Sequence, residues 1–143
     1  MKKSGGSMNP HYNQNYTRKQ IEDVLSMIKE CINAGRFNIA MNENRQENID
    51  FINEYNIYPS KRKEILMQIS VDDFCHSLQN MKIGYEREVL YVFVPRITLA
   101  NALGKQELVD IYTKFNVIKG KNGRRTIVIS FHKLNKPIGY LFR

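Results

Sequence analysis

The run LVDIYTKFNVI at residues 108–118, followed by KGKNG at 119–123 and TIVISFHK at 126–133, reads as a β-hairpin. In the first run Val109, Ile111, Phe115 and Val117 alternate with Asp110, Tyr112, Lys114 and Asn116, the period of two that a half-buried strand requires. Asn122-Gly123 supplies the turn signal. On the returning strand, regular alternation points Ile127, Ile129 and Phe131 to the core and Thr126, Val128, Ser130 and His132 the opposite way. The face turned from the core then carries Asp110, Tyr112, Lys114, Ser130 and His132. It is polar, basic and aromatic.

Moving toward the N-terminus, EVLYVFVPRI at 88–97 is almost continuously β-branched and aromatic, as a strand buried on both faces would be. Phe74, His76 and Leu78 follow a period of two and mark a short helix or strand. Before Ser70 the period is helical. Thr17 stands as an N-cap ahead of Ile21, Val24, Leu25, Ile28 and Ile32, and Gly35 is suited to end that helix. After a short segment with Phe37 and Ile39, a second helix is expected over about 43–55. Its inner face would be Ile49, Ile52 and Tyr55, with Arg45, Glu47 and Asp50 toward water. Ser60 is a candidate cap for a third helix carrying Ile65, Leu66 and Ile69. Helices first and antiparallel strands last is the order of an α+β domain, with helices packed on one face of a small antiparallel sheet.

The polar stretch 1–16 reads as a disordered leader, with one domain over 17–143. Met1-Lys2-Lys3 is not followed by an apolar run, and no stretch nears the roughly 18 residues of a membrane span, so a cytoplasmic protein is expected. The two cysteines, Cys31 and Cys75, form no C-x-x-C pair and are expected to pack as small hydrophobes. The formal net charge is +8, with 22 Lys+Arg against 14 Asp+Glu. All of that excess lies after residue 110. The last stretch holds Lys114, Lys119, Lys121, Arg124, Arg125, Lys133, Lys136 and Arg143, and no acid. Such segregation favours a polyanion, RNA above all, as partner.

His11, His76 and His132 are too scattered for a metal motif, and no Gly-rich phosphate loop is present, so no metal and no small-molecule cofactor are expected. RNA cleavage by the substrate's own 2′-OH needs less: a proton acceptor, a proton donor, and cations for the phosphoryl oxygens. Histidine suits the first two because its ordinary pKa lies near neutrality. His76 and His132 are therefore candidate acid and base. Tyr112 is a candidate for stacking on or orienting the substrate, and Arg96 and Lys114 are candidate phosphate clamps. Lys119, Lys121, Arg124, Arg125 and Lys133 extend the candidate RNA surface.

Asn33-Ala34-Gly35, the segment from Ser70 through Val71-Asp72-Asp73-Phe74-Cys75-His76 to Ser77, Phe93-Val94-Pro95-Arg96-Ile97, the run Tyr112 to Ile118, and Ile129-Ser130-Phe131-His132 stand in one order over about residues 20–133. In that order they resemble the MqsR family of bacterial toxins, with its N-A-G, S-x-x-D-F-x-K-S, aromatic-x-P-R-aliphatic, Y-L-K-I-T-V-I and V-S-F-K segments. The resemblance implies a RelE-like fold and a metal-independent endoribonuclease that cuts single-stranded mRNA. It also implies neutralisation by a cognate antitoxin protein in a type II toxin–antitoxin pair. The family's active-site tyrosine falls on Tyr112, and its two catalytic-type lysines fall on His76 and His132. Its glutamine has no matched position, although Arg87 and Glu88 lie nearby. The chain also carries about nine additional residues between Arg96 and Tyr112, and a tail, Leu134 to Arg143, that is expected to pack back on the domain. Two other readings stay open: a non-catalytic RNA- or DNA-binding module using the basic C-terminal third, and an interaction protein whose basic tail meets an acidic partner.

Overall fold

In the computed structural model residues 12–143 are described. The elements in chain order are α1 (Arg18–Asn33), β1 (Phe37–Ile39), α2 (Gln46–Glu54), α3 (Pro59–Met67), β2 (Phe74–Gln79), β3 (Val89–Phe93), β4 (Arg96–Ala100), β5 (Gln106–Gly120) and β6 (Gly123–Lys133). A 3-10 turn at Glu43–Arg45 leads into α2, and another at Val71–Asp73 leads into β2. The sheet has six strands in the order β1-β6-β5-β3-β2, with β4 paired to β5. It is mixed, because β1 runs parallel to β6 while the other pairs are antiparallel. The expectation of a small, wholly antiparallel sheet is corrected on both counts. The edge strand β1 is legible in the sequence only as a short apolar segment.

The amphipathic α1 is as its spacing predicts. Thr17 and Gln20 form a reciprocal capping box, Ile21, Val24, Leu25, Ile28 and Ile32 are buried, and Gly35 takes the positive φ of +77° beyond the last turn. In α2 the buried residues are Asn48, Phe51 and Ile52, with Tyr55 just beyond them, so the inner face is rotated from the expected one. Asn48 is polar, and hydropathy discounts it. In α3 the chain enters through Pro59 at the first helical position, after Tyr58, so Ser60 is not the cap.

The segment 88–97 is two strands. Pro95 has no N–H for a ladder, and the chain turns there. β3 then pairs with the C-terminal half of β5 and β4 with its N-terminal half. The core side of the sheet carries Phe74, Phe93, Phe115 and Phe131, all fully buried, against Ile21, Ile28, Ile65 and Leu66 from the helices. Phe74–Phe93 and Phe93–Phe115 meet edge-on at 5.3 and 5.9 Å.

Two β-bulges decide what the other side carries. Phe74 pairs with Phe93 but His76, not Cys75, pairs with Val92. Lys114 pairs with Ser130 but Phe115 pairs with Val128, which leaves Ile129 as the extra residue. Each bulge shifts the alternation by one. Thr126 and Val128 are therefore buried on the core face with Phe131, and Ile127 goes opposite, contrary to regular alternation. The same shift puts His76, Val92, Lys114 and Ser130 in one row across four strands, with Tyr112 and His132 beside it.

That second face is not open. A smaller apolar cluster of Cys75, Val92 and Val94 sits on it, covered by Leu134, Ile138 and Tyr140 of the tail. Tyr140 donates its hydroxyl to the Val94 carbonyl at 2.9 Å, Leu141 N–H bonds the Phe74 carbonyl, and Arg143 pairs with Asp73 at 2.8 Å. The tail packs back as expected. Cys31 and Cys75 are both free and buried, and burial pushes the Cys75 thiol up to about 12. Residues 1–11 of the expected leader, His11 among them, lie outside the described residues. Residues 12–16 are fixed to the sheet, which corrects the leader's boundary: Asn13 and Ser77 exchange two backbone bonds of 2.9 Å, and Tyr16 shares a hydroxyl bond with Ser77. Among the described residues no helix is long and apolar enough to cross a membrane.

Candidate functional site

Between the tail, the start of α2 and the strands β5 and β6 lies a cleft of about 310 Å³. Tyr112, Lys114, Ser130 and His132 rise from the strands into it. Arg45 and Glu47 come from the α2 entry, Asn135 and Lys136 from the tail, and Tyr12 from the N-terminal segment. Larger hollows of about 520 Å³ lie elsewhere among the described residues, one along α2 and β4 and one beside Met27, Tyr91 and Arg124. Neither holds a histidine, whereas the smaller cleft holds His132.

His132 is held on two sides. Its ring lies over Tyr112 with centroids 5.3 Å apart and planes 21° from parallel. Its Nδ1 is 2.9 Å from the Lys133 carbonyl oxygen and 3.7 Å from Glu47 Oε2. A carbonyl only accepts, so Nδ1 carries the hydrogen and Nε2 keeps the lone pair. A ring held in this tautomer presents the Nε2 lone pair as its acceptor. Glu47 is itself bonded by Asn135 Nδ2 at 3.0 Å.

Lys114 stands two residues along β5 from Tyr112, its ammonium 6.0 Å from that ring's centre. Burial, with the Arg45 guanidinium nearby, lowers its pKa. Burial first, then the Tyr12 and Cys75 groups, raises the Tyr112 phenol to about 12, so Tyr112 stays protonated at neutral pH. A protonated phenol, a crowded ammonium and an imidazole with a free Nε2 thus share one small cleft.

The bulge that aims Ser130 and His132 is clamped by Asn48, which is 1% exposed. Asn48 Nδ2 donates to the carbonyls of Ala40 and Ile129, at 2.9 and 3.0 Å, and its Oδ1 accepts from Phe131 N–H at 2.8 Å. These groups would otherwise be buried without partners.

His76 does not line the cleft. It is 2% exposed, its ring is covered face-on by Tyr12 at 3.8 Å and 8°, and its Nε2 is buried without a hydrogen-bond partner among the described residues. Burial and then the Lys114 charge push its pKa down to about 4. His76, expected to serve with His132 as acid or base, thus lies behind Tyr12 and is not among the residues that line the cleft. Arg96 is also outside the cleft. It is exposed and forks onto Asp110 at 2.9 and 3.3 Å, so its guanidinium is already paired with a carboxylate. Lys133 points to the helix side, where Glu54 holds it at 2.6 Å and Tyr55 lies under its ammonium. Lys119, Lys121, Arg124 and Arg125 are exposed at the tip of the β5–β6 hairpin, except that Lys119 and Arg124 also edge the hollow beside Met27.

Sequence reasoning misses Tyr12, Arg45, Glu47, Asn48, Asn135 and Lys136 as site residues. Helical spacing turns Glu47 and Arg45 toward water, and Tyr12 sits in a polar stretch without periodicity. Only the fold brings them to the strands. Among the described residues, no three His, Cys, Asp or Glu side chains cluster as a metal ion's ligands would. Compared with protein-family models, with curated proteins and with solved structures, the chain matches none.

Proposed function

We propose that the chain is a metal-independent endoribonuclease of single-stranded RNA, with His132 as its proton acceptor. The observation that carries this reading is His132 itself: Nδ1 is bonded to a carbonyl with the Glu47 carboxylate 3.7 Å away, Nε2 is left as the acceptor nitrogen, and Lys114 and Tyr112 line the same cleft. In the proposed step Nε2 takes the proton of a ribose 2′-OH. The new 2′-oxygen–phosphorus bond forms as the phosphorus–5′-oxygen bond breaks, leaving a 2′,3′-cyclic phosphate. Lys114, a better donor because its pKa is lowered, offsets the phosphoryl charge and protonates the leaving 5′-oxygen. Tyr112 donates its hydroxyl to a non-bridging oxygen. Arg45 and Lys136 hold the flanking phosphates at the rim.

The MqsR resemblance extends this to a RelE-like, mRNA-cleaving toxin neutralised by an antitoxin protein. Incubation of the full chain with a long single-stranded RNA in EDTA tests the reading, beside His132→Ala. Discrete fragments with 5′-hydroxyl ends are expected, with a rate about 10²–10⁴ lower in the variant. Intact RNA that is nonetheless bound would make the chain a non-catalytic nucleic-acid-binding module, the reading favoured by the basic hairpin tip alone. Growth arrest on expression in a bacterial host, relieved by His132→Ala, is the expected mark of a toxin.

A further inference from the structure

The N-terminal segment is fastened to the sheet in a way its sequence gives no reason to expect. Asn13 pairs with Ser77 through both backbone bonds, Gln14 Nε2 donates to the Cys75 carbonyl at 2.8 Å, and Tyr16 Oη bonds Ser77 Oγ at 2.7 Å. These contacts fix the backbone one residue after Tyr12. The Tyr12 ring lies flat on His76, 3.8 Å between centroids and 8° between planes, yet remains 37% exposed and forms part of the cleft wall. One face of the ring is therefore backed by imidazole, and the ring reaches the space that Lys114, Arg45 and Lys136 make cationic.

A flat, uncharged, backed ring beside clustered cations has the chemistry of a nucleotide site: a π-face for the base and charge for its phosphates. His76 suits the role of backing. It is held neutral in this setting, so nothing repels a second ring or draws solvent between them. On the reading of the cleft as an RNA site, we infer that Tyr12, backed by His76, is a base-stacking subsite for an unpaired nucleobase next to the cleaved phosphate. Tyr12 then contributes to which base is accepted there, and His76 is a positioning residue that acts through Tyr12.

The test uses the full chain carrying His132→Ala, so that RNA is bound and not cut. The probe is a short single-stranded oligoribonucleotide in which 2-aminopurine replaces each base in turn. One position is expected to be quenched on binding. Tyr12→Ala should abolish that quenching and weaken binding about 5- to 100-fold, whereas Tyr12→Phe should stay within about threefold. His76→Phe should preserve the quenching because it preserves a backing ring. An abasic residue at the quenched position should erase the difference in affinity between the Tyr12→Ala protein and the protein that keeps Tyr12. Equal affinity of Tyr12→Ala, in a protein whose melting temperature is unchanged, overturns the subsite while leaving the ribonuclease reading intact. Tighter binding with Tyr12→Ala would make the ring a cover over His76 and overturn it too. Absence of RNA binding in every variant would overturn both readings together.

Discussion

Burial beneath Tyr12, with the Lys114 ammonium nearby, holds the His76 pKa down to about 4, whereas the unfolded chain takes a proton near 6.5. The sign of the linkage follows. Between those values the unfolded state binds a proton that the folded state refuses, so stability is full above pH 6.5 and falls as pH drops toward 4. Because the ring is almost wholly buried, the loss reaches about 3 kcal/mol at most. His76→Phe should remove this part of the pH dependence. Urea unfolding of both proteins from pH 7 to pH 4 checks it, and parallel curves would mean that His76 titrates as a free histidine. On RNA, His76→Phe should keep kcat/KM within a few-fold, in contrast to His132→Ala. In the sequence the two histidines look alike, each at an alternate position of a short apolar run. What separates them is Tyr12, which lies 64 residues before His76, and no local pattern carries that contact.

Elements are legible where one periodicity runs unbroken. The spacing of Ile21 to Ile32, the Thr17 cap and the alternation of Val109 to Phe115 all hold, because each is a local consequence of one face being buried. The bulges at Cys75 and Ile129 are not local in this sense. Ile129 is itself apolar and well suited to a strand, so nothing in TIVISFHK announces that Val128 rather than Ile127 faces the core. What makes the extra residue tolerable is Asn48, from another element, whose three hydrogen bonds satisfy backbone at Ala40, Ile129 and Phe131. Asn48→Ala should leave those groups buried and unpaired, at about 2–4 kcal/mol. In chemical denaturation the midpoint should fall with the slope unchanged. Cleavage should fall as well, because the bulge aims Ser130 and His132. A loss under about 1 kcal/mol would show that the bulge holds without its clamp.

Over the whole molecule, the +8 charge does not act as one field, because the fold commits part of the basic third to internal pairing. Arg143 is taken up by Asp73 and Lys133 by Glu54. Lys114 and Lys136 line the cleft. The exposed remainder, Lys119, Lys121, Arg124 and Arg125, sits at the hairpin tip, roughly 17 Å along β5 from Lys114 at about 3.4 Å per residue. A single strand with a phosphate in the cleft can reach that tip a few nucleotides away, so the two cationic regions should differ in what they control. Replacing all four tip residues by Ala should weaken RNA binding for every sequence alike. It should also make the slope of log K against log salt shallower by up to about 2.8, at roughly 0.7 for each lost phosphate contact. Turnover at saturating RNA should stay unchanged, since none of the four lines the cleft, and the loss should appear in KM and vanish at high salt. Binding measured from about 50 to 300 mM salt, with cleavage rates beside it, separates the outcomes. An unchanged slope would mean that the RNA leaves the cleft by another route and that the tip charges are merely solvated. A fall in kcat would mean that the hairpin reaches the reacting phosphate.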